Sequence, residues 1–291
     1  MTRSPLRLLD WPVPTVRQRY TRRDTALYAL SVCVGRNPLD QRALRLVDPW
    51  SDALQALPSL ALVLGYPGFW LGEREVLEAT GVVPAQILHA EQAVTLAAPL
   101  PPEGEVLGET RVTAIVDKGA ERGSLLYSER RILEARSGSL LATCSQVHFL
   151  RRAGGFGSAG QPPAAPRAEP PQGAPRSQAE TPTLAQQALL YRLNGDANAL
   201  HLDPQLAAAA GFARPILHGT CTAAMAVTAV IELIADGDPS RVTGFSVRMT
   251  SPVLPGDILR TEVWPDGSFR THALQQGSVV LDNGRVQLER N

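Results

Sequence analysis

Residues 215–235 read Pro215-Ile-Leu-His218-Gly219-Thr-Cys-Thr-Ala-Ala-Met225-Ala-Val-Thr-Ala-Val230-Ile-Glu-Leu-Ile-Ala235. Ile216, Leu217, Met225, Val227, Val230, Ile231 and Ile234 supply the apolar positions of one long helix, which ends before Gly237. Between them lie Gly219, Thr220, Ala223, Ala224 and Ala226, small enough to let a sheet approach closely. Upstream, Asp203-Pro204 marks the start of a shorter helix that stops at Gly211. Downstream, the runs 242–250, 258–263, 268–274 and 279–288 read as strands. A helix first and strands afterwards predict a long apolar helix wrapped by an antiparallel sheet.

The same order occurs earlier in the chain. Residues 24–34 carry a helical spacing through Leu27, Tyr28, Leu30 and Val34, and 54–63 and 74–79 are further short helical candidates. Strand-like runs follow at 86–97, 105–116, 124–135 and 140–150, separated by Pro101-Pro102, Lys118-Gly119 and Ser137-Gly138. Between the halves, 153–182 is dominated by Gly, Pro, Ala and Ser, with Pro162-Pro163 and Pro170-Pro171, a composition too poor in apolar surface to fold alone. The chain therefore divides into an α+β half at 1–152, a linker at 153–177 and a second half of the same kind at 178–291.

Composition narrows the function. The 291 residues carry 28 Lys plus Arg against 28 Asp plus Glu. A chain without net charge has no broad attraction for nucleic acid or an anionic membrane, so any phosphate must be caught by a local cluster. Cys33, Cys144 and Cys221 form no CxxC pair, which suggests neither a disulfide framework nor a zinc site. The most apolar stretch, 57–71, is interrupted by Pro58, Gly65, Pro67 and Gly68 and is too short to span a bilayer. The N-terminus has no apolar signal-like core, and Glu289-Arg290-Asn291 is not a peroxisomal address; a soluble cytoplasmic protein is the expectation.

Polar groups are densest at 191–204, where Asp196, Asn198 and His201 stand on a predicted loop. A carboxylate and an imidazole in one cleft can hold a water and share its activation. Taken alone, the trio reads better as turn residues beside a packed surface histidine. His218 and Gly219 follow at the predicted start of the long helix, where free N–H groups suit a developing oxyanion. Gly219 alone reads equally as a tight helix–sheet contact.

Residues 195–204, Gly-Asp-Ala-Asn-Ala-Leu-His-Leu-Asp-Pro, with 210–219, Ala-Gly-Phe-Ala-Arg-Pro-Ile-Leu-His-Gly, resemble the hydratase 2 motif of MaoC-like proteins, the hot-dog-fold (R)-specific enoyl-CoA hydratases. Tyr28-Ala29-Leu30, Leu57-Pro58, His89-Ala90-Glu91-Gln92, Asp117-Lys118-Gly119 and Gly154-Gly155-Phe156-Gly157 are similar to the first half of two-hot-dog members. The resemblance implies a double hot-dog with one active site per chain. Asp196 and His201 would be the catalytic pair, Asn198 would support them, and the Gly219 N–H would hold the thioester oxygen. His89, Lys118, His218 and Arg248 would bind an acyl-CoA substrate. No metal or redox cofactor is implied, and pairing into a homodimer is common among such pseudo-dimers. The first half lacks the Asp-x-Asn-x-x-His segment and, with an irregular central helix over 57–70, would accommodate medium or larger acyl chains. Two departures stand out: Ala199 where the family carries proline, and Asp48 near the place of a family glutamate.

Among the remaining residues, Arg130 and Arg131 are candidates for CoA phosphates or, with Glu129, a solvated strand edge. Trp50, Phe69 and Trp70 read as core or interface. Two other functions fit an acyl-thioester binder: a hot-dog thioesterase, and a catalytically silent binding module.

Overall fold

Alternating burial along each apolar run explains why the expected strands form. The computed structural model describes residues 3–162 and 173–289. The first half contributes β1 (Val16–Tyr20), β2 (Ile87–Leu96), β3 (Gly104–Asp117), β4 (Ser124–Glu134), β5 (Leu140–Leu150) and the short β6 (Ala159–Gly160). The second contributes β7 (Ser177–Pro182), β8 (Val242–Met249), β9 (Ile258–Val263), β10 (Ser268–Ala273) and β11 (Ser278–Leu288). The strands pair in the order β1-β3-β4-β5-β2-β8-β11-β10-β9-β7, with β6 on β3. Each half keeps its own strands together, and the antiparallel β2–β8 pair joins them into one continuous sheet, Glu91 facing Arg248 and Thr95 facing Gly244.

Helices α1 (Arg22–Ser31), α2 (Gln41–Val47) and α3 (Arg74–Thr80) belong to the first half. In the second lie α4 (Gln187–Arg192), α5 (Pro204–Ala209) and α6 (Gly219–Ile234). Every residue from Cys221 to Ile231 is buried, as a helix apolar on all faces requires. The main core runs through both halves: Tyr28, Leu57 and Leu60 pack in one cluster with Met225, Val230 and Phe245. This α+β arrangement, two sets of strands joined side by side into one sheet with a long helix under one of them, is a double hot-dog.

Four local expectations change. The long helix starts at Gly219, because Leu217 N–H is drawn to the Val253 carbonyl at 2.8 Å and holds 215–218 extended. In the first half the central helix is reduced to a 3-10 turn, Pro58–Leu62, ended by Gly65 at φ +59° where a Cβ would lie 2.6 Å from Gly108 Cα. Arg130 is not a solvated edge residue. It is 2% exposed and donates to the carbonyls of Ala61 and Leu62 at 2.9 and 2.7 Å, fastening that turn to β4. Finally, the linker is not free along its described length. Asp117 accepts N–H bonds from Gly155, Phe156 and Gly157, β6 pairs with β3, and residues from Ser177 onward form edge strand β7 on β9. Four such bonds, Gly119 included, hold the Asp117 carboxyl down at about 2. Pro163, Pro170 and Pro171, and the terminal Arg290-Asn291, lie outside the described residues. Among the described residues no helix is long and apolar enough to cross a membrane.

Candidate active site

The loop after α4 is built from side chains that cap the backbone next to them. Asp196 Oδ1 accepts from Asn198 N–H at 3.2 Å, and Asn198 Oδ1 accepts from Leu200 N–H at 3.1 Å. Asp203 then caps α5 through Gln205 and Leu206 N–H. Arg192 clamps the loop from below by donating to the Asn198 carbonyl at 3.1 Å. These are ordinary turn devices, so the turn reading of Asp196 and Asn198 holds for the backbone. Their effect is to set His201 at the end of a one-turn 3-10 helix, Ala199–His201.

His201 Nδ1 lies 2.9 Å from the Ile216 carbonyl. A carbonyl can only accept, so the proton sits on Nδ1 and Nε2 keeps its lone pair. Burial lowers the His201 pKa, helped by Arg192 and opposed by the Ile216 bond and by Asp196. Against its face stacks His218, ring centroids 3.8 Å apart at 30°. His218 is 1% exposed and neither of its ring nitrogens has a hydrogen-bond partner of good geometry. Burial, then the neighbouring His201, push its pKa down to about 2, although the Asp196 carbonyl nearby works the other way. Tyr191 follows at 5.0 Å from His218, and Tyr28 of the first half at 6.1 Å from Tyr191. The Tyr28 hydroxyl donates to the Ser59 carbonyl at 2.7 Å. A column of rings thus runs from the loop into the first half.

Gly219 opens α6, where the first-turn N–H groups have no intrahelical acceptor. A Cβ at this position would come within 2.6 Å of Met249 Sδ on β8, so glycine serves a close helix–sheet contact there as well. The loop residues Asp196, Asn198 and His201, with His218 and Gly219, border one cavity of about 1450 Å³. Its lining gathers Asp196, Asn198, His201, His218 and Gly219 from the second half with His89 and Lys118 from the first, and Arg248 on β8.

Two family models cover the chain: the MFE-2 hydratase 2 N-terminal domain over residues 18–152 and the MaoC like domain over 167–286. The Arabidopsis thaliana protein named peroxisomal enoyl-CoA hydratase 2 is 36% identical over 94% of this chain and 92% of its own length. The chain belongs to the MaoC-like hydratase 2 family. Among solved structures, a MaoC-like dehydratase from Phytophthora capsici matches this hydratase 2 family member with a TM-score of 0.83 and 30% identity, over 98% of both chains. A conserved Mycobacterium tuberculosis protein described as a double hot-dog matches at TM-score 0.55 and 16% identity, over 94% of this chain and 93% of that one, a likeness of fold alone.

Several cavity residues of this hydratase 2 family member carry no sequence signal of their own. His148 reaches the wall only because β5 pairs with β2, and Tyr66, Arg122, Arg151 and Arg152 line it through the fold of their loops. Of the three aromatics expected in core or interface, Phe69 borders the cavity, Trp70 is core at 5% exposed and Trp50 is 86% exposed. Asp48 accepts from Trp50 N–H at 3.0 Å and is not on the cavity wall. Arg131 lies on the surface, 3.5 Å from Glu109.

The alanine at 199 offers a direct test of loop stiffness. It is the first residue of its turn, and Asn198 before it, at φ −57° and ψ 120°, already has the backbone that a following proline demands. Ala199→Pro is expected to stabilise the fold by about 0.4–1 kcal/mol, raising Tm by roughly 1–3 °C in a thermal melt. A lower Tm would mean that the turn needs the alanine.

Proposed function

We propose that this protein is an (R)-specific 2-enoyl-CoA hydratase with one active site per chain, at Asp196 and His201. The observation that carries the reading is the fixed tautomer of His201: the Ile216 bond at Nδ1 leaves Nε2 its lone pair, and His201, Asp196 and Gly219 line the same cavity. Water held between Asp196 and His201 delivers its hydroxyl to C3 of the enoyl thioester. One water proton passes through the pair to C2 on the same face, and the charge that builds on the thioester oxygen is met by the Gly219 N–H. Asn198, its oxygen used as a cap, supports the pair through its amide nitrogen. His218 stacks on His201 and, on the cavity wall, meets the substrate. Lys118 serves the carrier phosphates, and Arg248, next to the Met249 that packs on Gly219, meets the thioester end of the substrate.

The first half, residues 1–152, supplies no second catalytic segment and widens the cavity for medium or larger acyl groups. Cys33, Cys144 and Cys221 are all free thiols, which accords with a reducing cytoplasm. A hot-dog thioesterase would use the same cavity for a different bond. The test follows loss of absorbance at the conjugated thioester together with free-thiol release, across a series of enoyl-CoA chain lengths. Absorbance loss without thiol release is the expected result, with activity retained beyond the crotonyl length. Thiol release without hydration would assign the protein to the thioesterases.

A further inference from the structure

His89 and His148 face each other across β2 and β5, their rings stacked at 4.9 Å and 24°. A bulge between His89 and Glu91 breaks the β2 register at this point and re-aims the strand, and both rings border the cavity. His89 Nε2 lies 3.1 Å from the Glu91 carbonyl, so it carries the proton and leaves Nδ1 as an acceptor. His148 Nδ1 is buried with no partner. We propose that this pair is the recognition site for the distal amide of a pantetheine arm, the arm common to CoA and acyl-carrier proteins. The inference rests on the thioester reading above and adds a subsite to it.

Chemistry and spacing support the assignment. Burial holds both rings uncharged, His89 at about 4 and His148 at about 3, the second also lowered by the first. His89 Nδ1 is a neutral acceptor. The neutral His148 ring, one nitrogen a donor and the other an acceptor, can supply the complementary donor. Such a pair matches an amide and suits neither a phosphate nor a carboxylate. Gly219 packs on Met249, next to Arg248, which is paired with Glu91. From β8 across β2 to β5 is two strand spacings, about 10 Å. The distal amide of pantetheine lies roughly 9 Å from its sulfur when extended, by ordinary bond lengths. On the far side, Arg151 and Arg152 follow His148 in the turn that closes β5, and both line the cavity. A thioester at Gly219 and a phosphate at the arginines leave the amide at the two imidazoles.

The test is direct binding by calorimetry, which needs no turnover. S-hexyl-pantetheine is compared with S-hexyl-N-acetylcysteamine, which lacks the distal amide, on the wild-type protein, His148→Leu and His148→Gln. In His148→Leu the preference for the pantetheine ligand is expected to fall about tenfold, the usual effect of one lost hydrogen bond. His148→Gln, which keeps a donor and an acceptor, should recover most of it. An unchanged preference, with both ligands weakened alike, would overturn the proposal and assign the pair to the acyl chain or to packing. Should His148→Leu fail to fold, wild-type protein with an S-hexyl-pantetheine whose distal amide is replaced by an ester decides the matter: at least fivefold weaker binding supports the site, and equal binding overturns it. If the wild-type protein shows these preferences yet does not hydrate enoyl-CoA, only the hydratase reading falls.

Discussion

Asp196→Asn is expected to cut kcat/KM for hydration by about 10²–10⁴-fold while leaving the fold intact. Asparagine keeps an Oδ1 acceptor for the Asn198 N–H, so the turn survives and only the proton-accepting carboxylate is lost. His201→Ala should cost a similar factor, since Nε2, left with its lone pair by the Ile216 bond, is the proposed base. The double variant should be little worse than either single one, because both groups act on one water in one transition state. The pH profile checks the same assignment. His201 must be unprotonated to act, and burial lowers its pKa, so the neutral base persists below the ordinary imidazole value of about 6.5. The acid limb of kcat/KM should therefore lie below that pH, with a flat rate above it. Full activity in Asp196→Asn, an acid limb above the ordinary value, or an (S)-3-hydroxyacyl product detected with stereospecific dehydrogenases would each show the assignment to be mistaken.

The largest expected effect on stability comes from Arg130→Met. Arg130 is a buried cation whose job is to satisfy the carbonyls of Ala61 and Leu62, with the Tyr66 ring 5.2 Å from its guanidinium carbon. Methionine fills much of the same space but donates nothing, leaving two buried carbonyls without these bonds. Each unmade bond of this kind costs about 1–3 kcal/mol, partly offset because a charge no longer has to be desolvated. A net loss of about 2–4 kcal/mol is expected, read as a fall in Tm of roughly 5–10 °C. Arg130→Lys, keeping the charge and one donor, should lose less. A Tm equal to or above that of the wild-type protein would mean that desolvation of the arginine outweighs its bonds. Because Tyr66 also borders the cavity, a loosened 58–62 turn would be felt at the acyl pocket as well.

The long strands were legible because alternation of side chains is a local property. The runs expected at 258–263 and 140–150 match β9 and β5 end for end. Edge strands were not legible. β1 reads Val-Arg-Gln-Arg-Tyr and β7 reads Ser-Gln-Ala-Glu-Thr-Pro, polar segments that become strands only because β3 and β9 offer them a partner. Arg130 was misread for a related reason: its sequence neighbours Glu129 and Arg131 are surface residues paired with Arg111 and Glu109, and strand alternation turns the middle one inward.

The amino-acid sequence by itself determined the two helix-then-strand halves, the Asp196–Asn198–His201 loop and the helix start beside it, because each depends on residues a few positions apart. Tertiary structure alone decided what those residues face. The β2–β8 seam brings His89 toward the site of Gly219, β2–β5 pairing sets His148 against His89, and the Ile216 carbonyl chooses the tautomer of His201. Such contacts join chain segments far apart in sequence through hydrogen bonds between strands, whose register local patterning does not specify across elements.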